Sequence, residues 1–512
     1  MSLLFLTLGV ALPTISGWLL LRAIEGTIPV LSHLERWAAG FIIGLTGTMY
    51  VTFLAHILGF IRLDFWGFLA VQITFASLLA ASNLLRQRRH RRSEPFCSSA
   101  DQHSEKPVCT ERRPTRFGFV GQASAARFLL CVLLIWTSIK IIAASATFLL
   151  TPLYVDDAID NWNMRGKLIF HHQELVLGFP GDPQPTDGGT YAYPPTVSMT
   201  KAWLAILADS WSEPLVNSIH IVWYLALLAL LFGTVRATIG LWFGLLGLYI
   251  FGSLPLPLLH ATNPYADMFL AAHIGAAACF LLRALRLPDS VRSLRFLLLA
   301  SLSIALLPFT KNEGLVLYFP ALALALALAI FSLARQSILH RRDVIRASLF
   351  MLVITSSVLL PWLFFKWMHG FSFGNAKGLP NILEFSWNPM SLRAIVSNTI
   401  FEGNWLLLFP LFASLLLWQW RRAFTFPLLP LSVSFLLAYV LQIALFTFTP
   451  LATEAIKQTG YARGVIHLIP LVILLTVLLL HETLQNPRRD PHDPLYSTPC
   501  LPTPRSSGIS RK

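Results

Sequence analysis

The stretch ARFLLCVLLIWTSIKIIAASATFLLTPLYVDDAIDNWNMRGKLIF, Ala126–Phe170, joins two opposite characters. Its first half is apolar over more than the roughly 20 residues a helix needs to cross the hydrocarbon core. Its second half, from Tyr154, carries three carboxylates, Asp156, Asp157 and Asp160, and two cations, Arg165 and Lys167. Such an order describes a span that delivers a charge cluster to a membrane surface.

The rest of the chain repeats the first character many times. Of 512 residues, 55% are hydrophobic and 12% charged, against about 25% charged in soluble domains. An all-α polytopic membrane protein is therefore expected, with no water-soluble domain. Apolar runs predict about thirteen spans, near 3–22, 37–60, 64–85, 127–150, 214–235, 238–258, 265–286, 294–310, 314–334, 347–368, 396–419, 425–447 and 463–482. The polar break TKNEG, Thr310–Gly314, predicts a tight reversal between the eighth and ninth. The net charge of +14 does not point to nucleic acid, because most cations fall in short loops where they set orientation. Placing RQRRHRRSEP, Arg86–Pro95, in the cytoplasm gathers most Lys and Arg on that side. The N-terminus then lies outside and the C-terminus inside. The N-terminal run lacks the cationic start of a cleaved signal peptide and reads as a retained span. None of the five cysteines falls in an outer loop, so disulfides are not expected. The expected organisation is a three-span unit over 1–85, an unstructured basic loop over 86–126, a main membrane domain over 127–482 and an unstructured Pro-rich tail over 483–512.

After span four, Pro152 breaks the helix and Asp157 can cap a new one, with Asp160 as the capping-box acid. Ile159, Trp162, Gly166 and Ile169 then share one stripe. This predicts a short amphipathic helix in the interface with Trp162 at headgroup depth. A cap needs one carboxylate, and three crowded acids cost repulsion, so the excess suggests a site for a proton or a cation. The same loop continues to TDGGTYAYPPTVS, Thr186–Ser198, an outer loop long enough to be functional. Lys140 falls inside span four, where an ionisable group is a functional candidate or pairs locally.

An acid after a span, an interfacial helix and a Tyr-Pro-Pro element together resemble the GT-C superfamily, membrane glycosyltransferases that use polyprenyl-phosphate-linked sugars. The bacterial family-39-like members are nearest. Their Asp-Ala, Trp and Lys-x-Lys features read here as Asp157-Ala158, Trp162 and Arg165-Gly166-Lys167, with Arg in place of the first Lys. Tyr193-Pro194-Pro195 matches the YPP element. HATNPYADMFLA, His260–Ala271, resembles the second acidic loop, with Asp267 as its acid. LPFTKNEGL, Leu307–Leu315, resembles the Lys-x-Glu-Gly turn with Lys311 and Glu313. GYARGVIHLIP, Gly460–Pro470, resembles the last-span motif with Arg463 and His467. The resemblance covers about residues 127–482 and implies a GT-C-like bundle in the bacterial inner membrane.

It further implies transfer of a hexose or pentose from a polyprenyl-phosphate donor to a glycan, lipid or protein acceptor on the periplasmic face. Asp157 would be the general base. Asp267 would bind the acceptor, assist the base or share a divalent metal with Asp157. Arg165, Lys167, Lys311 and Arg463, with His467, would hold the donor phosphate. Asp156, Asp160, Tyr193 and Glu313 would line the substrate loop. Mg2+ or Mn2+ suits the oxygen ligands of Asp156, Asp157, Asp160 and Asp267, and family members differ in their need for a metal. Two rivals stand beside this reading. A transporter or lipid-linked glycan flippase would spread its charges along a midplane pathway. A glycan polymerase of another fold would lack the Asp-Asp-Ala, Trp, Arg-Gly-Lys order.

Overall fold

A computed structural model of the chain describes residues 2–93, 120–153, 158–178, 189–371 and 384–485. Asp156, Asp157, residues 179–188, the loop 94–119 and the tail 486–512 lie outside the described residues. All regular structure among them is helical. The helices named below are α1 (Ser2–Glu25), α2 (His33–Ile57), α3 (Phe65–Ser93), α4 (Val120–Leu150), α5 (Met164–His172), α6 (Thr196–Leu207), α7 (Glu213–Ile239), α8 (Leu241–Ser253), α9 (Pro255–Thr262), α10 (Asp267–Arg286), α11 (Ser290–Leu306), α12 (Phe319–Arg335), α13 (Arg341–Met368), α14 (Pro389–Val396), α15 (Leu408–Trp418), α16 (Leu429–Phe448) and α17 (Gly460–Gln485). Eleven described helices are long and apolar enough to cross a membrane, or up to twelve if the bent pair α8–α9 is one span. The chain is a multi-pass membrane protein.

Three expectations change. The eleventh predicted span, 396–419, is not one helix. Ser397–Phe401 is a π-turn, and only the eleven-residue α15 follows it. Asn398 and Asn404 both donate to Glu402 there, at 2.9 and 3.2 Å, and these polar contacts interrupt the apolar run. The basic segment from Arg86 is helical through Ser93 rather than irregular. Arg is a good helix former, and the first proline after the span is Pro95. The second helix of the opening stretch turns most of its stripe onto protein. It begins as a π-turn, Ala158–Asn163, and runs on as α5, with Trp162, Gly166 and Ile169 buried and Ile159 exposed. Gly166 meets α6 so closely that a Cβ there would stand 3.1 Å from the Ser198 carbonyl and 3.0 Å from Trp211. From Trp162 onward the apolar stripe is covered by protein.

α10 and α17 are almost wholly enclosed, and α2 nearly so, whereas α3, α4 and α13 present most of their surface outward. Small residues allow the tightest crossing. A Cβ on Gly17 of α1 would stand 2.6 Å from Gly44 Cα on α2, and one on Gly44 would stand 2.1 Å from the Pro13 carbonyl. Backbones that approach this closely gain packing where lipid offers no hydrophobic drive. The first three helices belong to the same bundle as the rest. Thr46 Oγ1 of α2 lies 2.9 Å from His273 Nε2 of α10. Phe53 of α2 packs on Phe309, Trp362 and Phe365, with ring centroids 5.1–5.8 Å apart.

The bend between α8 and α9 is 71°. Leu254 is extended there, and Pro255 and Pro257 have no N–H to donate, so the Ser253 carbonyl loses its helical partner. Lys140 of α4 supplies one, its Nζ 3.1 Å from Ser253 O. The intramembrane cation is thus engaged locally.

Candidate functional site

Asp267 is the first residue of α10, where the helix dipole favours a negative charge. Its side chain has no exposure, and both oxygens are occupied. Lys311 Nζ donates to Oδ1 at 2.8 Å and Arg463 Nε to Oδ2 at 3.2 Å. His467 Nε2 lies 2.8 Å from Oδ1 and His260 Nδ1 lies 3.1 Å from Oδ2. Between two cations the carboxylate is ionised, so it only accepts and both rings must donate to it. Three segments far apart in sequence therefore meet at one end of the bundle.

Each arm of this cluster has a local cause. Lys311 sits in the predicted reversal. α11 ends in a 3-10 turn, Leu307–Phe309, and a π-turn, Gly314–Tyr318, leads into α12. Gly314 permits this, because a Cβ there would stand 2.4 Å from the Leu307 carbonyl. Lys311 also pairs with Glu313 at 2.9 Å. Burial alone would lower the Lys311 pKa, but Asp267 and Glu313 outweigh it and hold it above the usual value. Arg463 and His467 are four residues apart on α17, so both face α10. Tyr318 fixes the far side of His467, with Nδ1 3.0 Å from its hydroxyl. Gln442 donates to that hydroxyl in turn. The Arg463 guanidinium stands 4.7 Å over the Tyr265 ring, on which His260 also stacks.

A second group of cations lies along the segment Tyr191–Tyr193. Arg165 of α5 is buried and donates to the Tyr193 carbonyl at 2.7 Å. Burial lowers its pKa to about 10, offset in part by Tyr191, so it stays charged at neutral pH. Lys366, near the end of α13, donates to the neighbouring Ala192 carbonyl and lies 3.5 Å from Asn312 Oδ1. Asn312 Nδ2 reaches the same Ala192 carbonyl at 3.4 Å. Since Asn312 adjoins Lys311, this amide connects the two cation groups. The Tyr193 ring packs edge-on to Trp162 at 5.6 Å.

The remaining candidates are not drawn in. Lys167 and Asp160 are exposed, and Lys167 faces away from Arg165. Asp156 and Asp157 lie outside the described residues. The metal expectation meets a physical objection at Asp267. Both oxygens already face a cation and an N–H donor, so a divalent ion would have to displace them. Among the described residues no group of three His, Cys, Asp or Glu side chains has metal-binding spacing.

Sequence reasoning missed Lys366 and Lys201. Lys366 stands in FFKWMHG at the end of an apolar run, where a cation ordinarily reads as a snorkelling anchor. Lys201 lies in α6 and is fully buried, with Nζ 2.6 Å from Asn163 Oδ1 and 3.0 Å from Asn217 Oδ1. Burial depresses its pKa well below the ordinary lysine value. It ties the start of α5, and hence Arg165, to α6 and α7. His260 was visible inside a motif, but nothing in the spacing marked it as a partner of Asp267. No protein-family model, curated protein or solved structure matches this chain.

Proposed function

We propose that this chain is a GT-C-type membrane glycosyltransferase, moving a sugar from a polyprenyl-phosphate donor to an acceptor hydroxyl on the periplasmic face of the bacterial inner membrane. What supports the reading is the meeting of Asp267, Lys311, Arg463 and His467 at one bundle end, beside a second cation pair, Arg165 and Lys366. A lipid-borne phosphate needs cations fixed at the membrane surface with little water around them, where they act more strongly than in bulk solvent.

The acceptor O–H gives its proton to the Asp157 carboxylate, and its oxygen attacks the anomeric carbon. The bond from that carbon to the phosphate oxygen breaks, and the lipid phosphate leaves with the electron pair. Arg463 and Arg165 take up the growing charge on the phosphate. Asp267 is a positioning residue in this scheme. It is saturated by its four partners and cannot easily accept a proton, but it fixes Lys311 and Arg463.

The test uses the full chain in lipid nanodiscs, a panel of undecaprenyl-phosphate sugars and crude envelope acceptors, and reads release of undecaprenyl phosphate. Wild type releases it. Asp157→Asn and Arg165→Gln lower the rate by at least about a hundredfold, the scale of a lost base or a lost transition-state donor. Transbilayer movement of intact donor without release would sink the transferase and favour a flippase.

A further inference from the structure

The bundle end opposite Asp267 gathers positive charge of a different kind. Arg86 of α3 donates to the Ala23 carbonyl, and Arg295 of α11 donates to the next carbonyl, Ile24, at 2.8 Å. These carbonyls close α1, so two guanidinium groups converge on the negative end of one helix. Gly26, at φ +67°, makes room for the second. A Cβ there would stand 3.2 Å from Arg295 Nη2. Arg346 of α13 is brought to the same end by Asp343, which lies 3.5 Å from Arg346 Nη1 and accepts from Ser290 at the start of α11 at 3.0 Å.

The acids at this end are already engaged. Glu25 is bonded by Arg36 at 3.0 and 3.1 Å and by the backbone N–H groups of Val30 and Leu31. Asp289 pairs with Arg292, and Asp343 with Arg346 and Ser290. Among the described residues neither Arg86 nor Arg295 meets a carboxylate, and Arg295 Nε is buried with no hydrogen-bond partner. The helices that carry these cations turn exposed apolar side chains outward beside them, Leu84 and Leu85 on α3 and Ile345 and Leu349 on α13.

We infer that Arg86, Arg295 and Arg346 form a binding site for the phosphate of an anionic phospholipid whose acyl chains lie along α3 and α13. The charge is complementary, the donors are fixed, and the apolar surface runs on from them into the bilayer. A free phosphate would meet the same cations but gain nothing from the exposed leucines. This site is independent of any transferase chemistry.

The experiment is native mass spectrometry of the full chain in detergent, titrated with dioleoylphosphatidylglycerol, dioleoylphosphatidylcholine or sodium phosphate. Wild type binds the phosphatidylglycerol saturably and in preference to phosphatidylcholine, and sodium phosphate does not displace it. The double variant Arg86→Gln/Arg295→Gln weakens binding roughly thirtyfold, and Arg346→Gln about fivefold. The Arg346 side chain is 69% exposed, so its variant folds even if the double variant does not. Equal retention of the two lipids by wild type, or unchanged affinity in Arg346→Gln, overturns the proposal. Displacement by sodium phosphate overturns it in favour of a soluble anion.

Discussion

Two carboxylates in this protein each join cations from two other segments, one at each end of the bundle. Asp267 holds Lys311 at 2.8 Å and Arg463 at 3.2 Å with no exposure of its own. Glu482 of α17 holds Arg286 of α10 and Arg422, both at 3.5 Å, and is 23% exposed. The chemistry of the ion pairs is alike, but the surroundings differ. Glu482 is partly open to its surroundings, which screens its pairs, so the clamp adds little. Asp267 has no such relief, and its desolvation is offset only by the full set of four partners. A protein gains little stability from a buried arrangement like that of Asp267 over a well-packed apolar one. The buried cluster therefore points to use, and the exposed one to ordinary fastening.

The sharpest way to break the comparison is to remove each acid in turn. Asp267→Asn leaves Lys311 without its buried counter-charge and should cost about 3–5 kcal/mol in reversible unfolding. Pairing it with Lys311→Met should recover part of that loss, because the stranded charge is then gone. A loss below about 1 kcal/mol would mean that water reaches the cluster and that the two acids are equivalent. A smaller effect is expected from pH. The Lys311 pKa is raised in the folded protein, so its stabilisation is complete below the unfolded value of about 10.4 and is lost as pH rises through the folded one. The thermal midpoint of wild type should fall with an alkaline limb that Lys311→Met lacks. If both limbs coincide, Lys311 is not the group responsible. The least effect belongs to Glu482→Gln, under about 1 kcal/mol and smaller still in high salt. A salt-independent loss of several kcal/mol would show that this clamp is buried in the membrane-embedded protein.

Much of the Asp267 cluster was legible because its signals are local. Lys311 and Glu313 are marked by the Gly-containing reversal, and Arg463 and His467 by their spacing of four. The helical architecture was equally plain from the apolar runs. What failed to show was whatever depends on a neighbour far along the chain. The stripe Trp162, Gly166 and Ile169 has the spacing of an interfacial helix, and only the presence of α6 turns it inward. Lys366 carries no mark of its own, since its position is fixed by the Ala192 carbonyl of another segment. The run 396–419 is apolar enough on average, but Asn398, Glu402 and Asn404 bind one another rather than leave a straight helix.

The contact between Lys140 and the Ser253 carbonyl also bears on how the chain is made. The lysine is synthesised 113 residues before the carbonyl that receives it. During that interval α4 carries an ionisable group with no fixed acceptor, and it sits less firmly in lipid than its apolar length suggests. The break at Leu254 then supplies the acceptor only when α8 and α9 have both emerged. Insertion of this region is therefore expected to take two steps, with a late kink securing an early helix. Ribosome-bound chains halted before residue 253 should release α4 to alkaline extraction more readily than chains halted beyond residue 262. Equal retention of the two would remove the late kink from the biogenesis of α4.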